Sequence, residues 1–196
     1  FFSMELVEGV GFVQYVRSGP GDDVPDVADP AAPPSLSTLQ LIRLRRGFAQ
    51  LVAAVAALHE AGVLHRDIKP SNILVTAEER LVLLDFGLAA ELGDEEGYLS
   101  TDGGLVGTVA YMSPEQASVQ EVTEASDWYA VGTVLYEALT GRMPFSGGRM
   151  RVLLAKSQQD PPPPASLVSD VPEDLNQLCV DLLRRIASER PSSAEI

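Results

Sequence analysis

The run from Ser126 to Thr140 is apolar on nearly every side, carrying Trp128, Tyr129, Val131, Val134, Leu135 and Leu139. A helix without a polar face has to be enclosed by the rest of the molecule, so this segment predicts the centre of a core. Gly141 ends it. The covering layers have to come from segments with one apolar face. Leu39 to Ala61 is the longest of these, with Leu44, Phe48, Leu51, Val55 and Leu58 at helical spacing and Gly62 as the stop. Leu175 to Ile186 predicts a third, amphipathic helix, and Gly9 to Arg17 a short one. Phe1 to Val7 reads as a short strand. Ile73-Leu74-Val75 and Leu81-Val82-Leu83-Leu84 read as two more, joined by the polar turn Thr76 to Arg80 as a hairpin. The expected fold is therefore a mostly helical domain with one small hairpin.

The connecting segments are set by their breakers. Ser18 to Ser35 is rich in Pro, Gly, Asp and Ala and predicts a loop insert. Leu88 to Val106 is polar, Gly-rich and without period, a long loop of the kind that carries function. Pro161 to Pro164 predicts an extended polyproline connector on the surface.

A chain of 196 residues is long enough for one domain with a sizeable core. Its net charge of −14 argues against nucleic acid or an anionic membrane surface as the main partner. No apolar run is long enough to span a bilayer and no signal peptide is visible, so a cytoplasmic location is expected, with no direct membrane insertion. The single cysteine, Cys179, lies in the apolar run Leu178-Cys179-Val180 and predicts a core residue in a reducing compartment. Both ends of the chain read as cut within elements, a strand at Phe1 and a helix start at Ala194-Glu195-Ile196, which suggests a fragment of a longer protein.

The chemistry concentrates in His65-Arg66-Asp67-Ile68-Lys69-Pro70-Ser71-Asn72 and, beyond the hairpin, Asp85-Phe86-Gly87. In a short loop feeding a strand, Asp67, Lys69 and Asn72 can converge on one side. Asp67 can accept a proton from a hydroxyl. Lys69 can offset charge on a phosphoryl group in transfer. Asn72 offers a neutral oxygen and Asp85 a carboxylate, both hard donors suited to Mg²⁺. The hairpin brings the Asn72 end beside the Asp85 end. Phosphoryl transfer needs mainly positioning and charge neutralisation, which is what such a set supplies.

With Ser113-Pro114-Glu115 following in order, the chain resembles the C-terminal lobe of eukaryotic-like serine/threonine protein kinases in their bacterial form, over nearly its whole length. The resemblance implies an α+β kinase fold overall, of which this chain is the mostly helical lobe with the hairpin carrying the catalytic residues. It divides the chain into a last N-lobe strand and hinge (1–8) and a C-lobe truncated before its final helix (9–196). Within that lobe lie the loop insert (18–35) and the activation segment (85–115). It implies ATP and Mg²⁺, with Asp67 as base, Lys69 on the transferred phosphate, and Asn72 and Asp85 on the metal. Thr108 would contact Asp67 and Lys69. Met4 would be the gatekeeper, Glu5 and Val7 would offer backbone groups to adenine, and Leu74 would form the floor beneath it. Lysine two residues after the base implies protein substrates with Ser/Thr hydroxyls. His65, Phe86 and Asp127 resemble a structural spine and its anchor, and Glu115 with Arg190 a buried ion pair. Ser100 and Thr101 are candidate autophosphorylation sites, with Arg66 as the partner of such a phosphate.

The family's Gly-rich loop, strand lysine and helix glutamate would lie upstream of Phe1. Ser113 stands where Ala is usual, and Ile186-Ala187 where Asp-Pro is common. Two other readings stand beside this one: a pseudokinase acting as a scaffold on the same fold, and a small-molecule phosphotransferase of the aminoglycoside type, which shares the Asp67-to-Asn72 spacing but usually lacks the Lys69 pattern and the Ser-Pro-Glu block. Outside the blocks, His59 reads as a structural or surface residue, Trp128 as core, and Asp94-Glu95-Glu96 as solvated loop.

Overall fold

A computed structural model describes residues 6–19, 35–85 and 109–196. The chain opens with β1 (Val10–Gly11) and α1 (Phe12–Arg17), then the long α2 (Thr38–Glu60). β2 (Ile73–Val75) and β3 (Leu81–Leu83) follow a 3₁₀ turn at Pro70–Asn72. The remainder is helical: α3 (Pro114–Ala117), α4 (Glu124–Thr140), α5 (Arg149–Gln158) and α6 (Glu173–Leu182).

α4 is the enclosed centre. Trp128, Tyr129, Val131, Val134, Leu135, Tyr136 and Leu139 are each at most 1% exposed. Burying one such side chain contributes about 1.5–3 kcal/mol. α1, α2 and α6 pack round it. Contact with α6 is close enough that a Cβ on Gly132 would lie 2.7 Å from the Leu182 Cβ. Cys179 on α6 is fully buried there.

α2 begins at a capping box, in which the Ser37 side chain accepts from the Gln40 amide and the Gln40 side chain accepts from the Ser37 amide. It buries Leu44, Phe48, Leu51 and Val55 against the core, on the stripe expected from their spacing.

The structure departs from expectation in several places. The hairpin is a three-stranded antiparallel sheet, order β1-β2-β3, with Val10 opposite Val75 and Gly11 opposite Leu74. A two-residue strand has no readable period, and its partner is remote in sequence. A Cβ on Gly9 would sit 2.7 Å from the Val75 carbonyl oxygen, so the chain can enter β1 this closely only because Gly9 has no side chain. α5 had no sequence signal, because only Val152 and Lys156 of its ten residues are buried. α6 stops at Leu182 rather than Ile186, and the freed carbonyls of Arg184 and Arg185 accept hydrogen bonds from the Arg190 side chain. Pro164 is not surface polyproline: it is buried and opens a 3₁₀ turn (Pro164–Ser166), a position where its missing N–H costs nothing. The expected helix start at Ala194 is a turn, in which the Glu195 carboxylate accepts from the amide and hydroxyl of Ser192.

Leu6 and Val7 belong to no strand. Phe1 to Glu5, most of the loop insert and the long loop to Thr108 lie outside the described residues. Among the described residues no helix is long and apolar enough to cross a membrane.

Candidate functional site

The site begins at the N-terminal turn of α4. Asp127 is buried, and its carboxylate accepts from the His65 amide at 2.8 Å, the Arg66 amide at 2.8 Å and His59 Nε2 at 2.9 Å. Three donors compensate the loss of water round a buried carboxylate. They also hold Arg66 in the left-handed region at φ 67°, which costs a side-chain-bearing residue roughly 1–2 kcal/mol. His59 is thus a structural residue, sealed under the loop with its ring edge-on to Trp128 at 5.3 Å.

His65 is fully buried and has both ring nitrogens committed. Its Nε2 lies 2.9 Å from the Leu84 carbonyl, which can only accept, so Nε2 carries the proton. Its Nδ1 accepts from the Asp67 amide at 3.3 Å. The imidazole therefore ties the loop before β2 to the residue preceding Asp85, and is not available as a base. A second tie runs beside it, from the Leu84 amide to the Asn72 carbonyl at 2.8 Å.

These ties bring three polar side chains together. Lys69 Nζ lies 2.6 Å from Asp67 Oδ2. Asn72 Nδ2 donates to the Asp67 carbonyl at 2.8 Å and to Asp67 Oδ2 at 3.1 Å. Asp67 and Lys69 side chains remain 30% and 25% exposed, so the carboxylate is oriented from one side and reachable from the other. The Asn72 amide nitrogen faces Asp67, and its Oδ1 accepts from Ser71 Oγ at 3.5 Å. Asp85 follows β3, exposed and in the left-handed region at φ 58°. One amide oxygen and one carboxylate, on residues joined by the sheet, are hard donors that fit Mg²⁺, an ion that keeps several waters and takes one or two protein oxygens. Among the described residues no group of three or more His, Cys, Asp or Glu offers an alternative metal site. Leu74 lies on the sheet face opposite the buried Ile73 and Val75, and Val7 is half-buried. Met4, Glu5, Phe86, Ser100, Thr101 and Thr108 lie outside the described residues.

The Ser113-Pro114-Glu115 block is fastened separately. Arg190 NH1 and NH2 donate to the two Glu115 carboxylate oxygens at 2.6 and 2.8 Å, and Ser126 Oγ donates to Oε1 at 2.7 Å. Burial pushes the Glu115 carboxyl up, but the Arg190 and Ser126 hydrogen bonds with the Arg190 charge outweigh it and hold it below the usual range. Two residues near this block escaped the sequence reading. Gln116 accepts from the Ser113 amide and donates to the Arg66 carbonyl at 3.0 Å, joining α3 to the Asp67 loop. Ser113-x-x-Gln116 is a capping-box spacing, which was a readable signal. Glu137 on α4 accepts from the Tyr111 hydroxyl at 2.7 Å. Burial raises its carboxyl, with Tyr111 and Arg17 opposing. No sequence signal marks that pair.

Comparison with known proteins agrees with this arrangement. The family model of the protein kinase domain matches residues 28–196. The chain is 36% identical to a probable serine/threonine-protein kinase, PkwA, of Thermomonospora curvata, over 97% of this chain and 26% of that protein. It is 36% identical to the serine/threonine-protein kinase PknE of Mycobacterium tuberculosis, over 88% of this chain and 27% of the relative. A probable serine/threonine-protein kinase PknB of Corynebacterium glutamicum is 39% identical over 60% of this chain and 18% of the relative. The chain thus spans about a quarter or less of the length of these relatives. A match over most of its length, with the motif blocks in order, makes this chain a member of the protein kinase domain family.

Proposed function

We propose that the protein carrying this chain is a serine/threonine protein kinase that transfers the γ-phosphate of ATP to protein hydroxyls. The observation that carries the reading is the Asp67 carboxylate, held by Lys69 and Asn72 on a loop fastened to Asp127. In this reading Asp67 takes the proton of the substrate Ser or Thr hydroxyl. The hydroxyl oxygen bonds to the γ-phosphorus, the bond from that phosphorus to the bridging oxygen breaks, and ADP leaves. Lys69, on the same face as Asp67, offsets charge on the phosphoryl group in flight. Asn72 Oδ1 and the Asp85 carboxylate would hold Mg²⁺, which supplies charge neutralisation on the phosphates. Thr108 would orient Asp67 and Lys69. Met4, Glu5, Val7 and Leu74 would line the adenine site, and Ser100 or Thr101 would be the site of autophosphorylation. The phosphate-covering loop and its lysine would come from sequence other than these residues, and the active unit is the C-lobe joined to them.

Asp67→Asn in the full-length protein tests the assignment. Incorporation from labelled ATP is expected to fall roughly 10²–10⁴-fold, the usual worth of a positioned base. Undiminished incorporation overturns the role of Asp67.

A further inference from the structure

Lys156 on α5 is 1% exposed. Its Nζ donates to the carbonyls of Val109 at 3.0 Å, Ala110 at 2.7 Å and Met112 at 2.6 Å. The ammonium also lies 5.2 Å from the centre of the Tyr129 ring. Among the described residues its hydrogen-bond partners are these carbonyls, with no carboxylate among them. Arg190 shares the Tyr129 ring at 4.9 Å, and Glu115 is paired to Arg190. Burial pushes the amine down to about 7, while the carbonyls favour the charged form.

An apolar side chain of the same length would fill this space beside Val109 and Tyr129 without burying a charge. What lysine adds is a directional tie. The three carbonyls belong to the backbone that leads directly into Ser113-Pro114-Glu115. That backbone continues into α3, where Gln116 bonds the carbonyl of Arg66, the residue before Asp67. Residues 109–112 are thereby joined, through α3, to the loop that carries the proposed base.

We propose that Lys156 is a positioning residue for the protein substrate. By gathering the carbonyls of Val109, Ala110 and Met112 it holds this backbone in the shape against which the acceptor segment rests. The proposal rests on the kinase reading above. It acts through backbone shape, so the expected signature is in acceptor binding rather than in ATP binding.

The test compares the full-length protein with Lys156→Met, which keeps length without donors, and Lys156→Arg, which keeps charge and donors. For Lys156→Met the KM for a Ser/Thr peptide is expected to rise ~10-fold, with the ATP KM within ~2-fold. Amide hydrogen exchange at residues 109–112 is expected to quicken ~10-fold or more while α4 is unchanged. Lys156→Arg should recover most of the peptide KM. If Lys156→Met does not fold, Lys156→Gln is measured by the same two readouts. An unchanged peptide KM with unchanged local exchange overturns the proposal, as does an equal rise in both KM values. A wild-type protein that phosphorylates no peptide overturns the kinase reading instead, and the exchange at 109–112 then still decides whether Lys156 holds that backbone.

Discussion

Two arginine–carboxylate pairs in this domain have the same bidentate geometry and opposite surroundings. Arg45 meets Asp174 at 2.6 and 2.9 Å with side chains 49% and 62% exposed. Arg190 meets Glu115 at 2.6 and 2.8 Å with side chains 0% and 7% exposed. In water the charges of the first pair are already satisfied, so closing it changes little. In the second, each charge depends on the other, and Arg190 is further committed to the carbonyls of Ala125, Arg184 and Arg185. Geometry alone does not set the worth of an ion pair; what replaces the partner when it is removed does. Lys156 extends the comparison, being as buried as Arg190 but neutralised by dipoles instead of an anion.

Removing Arg190 should have the largest effect. Arg190→Ala leaves Glu115 buried and unpaired and is expected to cost about 3–5 kcal/mol in the unfolding transition of this domain. Replacing both partners, as in Arg190→Met with Glu115→Gln, should recover much of that loss. A double variant no better than the single would show that the loss comes from packing and not from the stranded charge.

Lys156→Met comes next, at about 1–3 kcal/mol, because it strands carbonyls but also relieves the cost of a buried ammonium. A loss as large as that of Arg190→Ala, read by the same denaturation, would erase the distinction between anion and dipole as partners.

The two buried groups also differ in pH response. Lys156 is lowered from 10.5 to about 7, so between these values the unfolded chain binds more protons, and its term raises stability as pH rises through that window. Glu115 is lowered from its ordinary 4.5, so its contribution is present above that pH and is lost as pH falls through its folded value. Stability measured against pH should lose its rise above about 7 in Lys156→Met and keep its acid limb. A rise that persists there assigns it to another group.

The smallest effect is expected at the exposed pair. Arg45→Ala should change stability by less than about 1 kcal/mol, and salt should diminish even that. A loss approaching that of Arg190→Ala would mean that exposure is the wrong axis of comparison.

Much of this was legible in the chain. The centre of the core followed from Ser126 to Thr140, because a helix apolar on all sides has one solution. α2 followed from its stripe and from Gly62. The Asp67 loop and Asp85 were legible as chemistry, since the donor types are local and closely spaced. Lys156 was not legible, because a lysine is almost never fully buried. α5 was missed because only Val152 and Lys156 of its residues are buried, and β1 because two residues carry no period. Gln116 could have been found from its spacing to Ser113. Glu137 could not, because its partner Tyr111 is brought to it only by packing.

The sequence by itself determined the long helices, the hairpin and the kinds of side chain available for phosphoryl transfer. These depend on periodicity and spacing within a few residues, where local geometry is enough. Only the tertiary structure decided which charges are paired. Asp127 meets His65 and Arg66, Glu115 meets Arg190, and Lys156 meets Val109, each across more than forty residues. A buried charge is tolerated only where packing delivers partners to it, and no local pattern records which distant segment will do so.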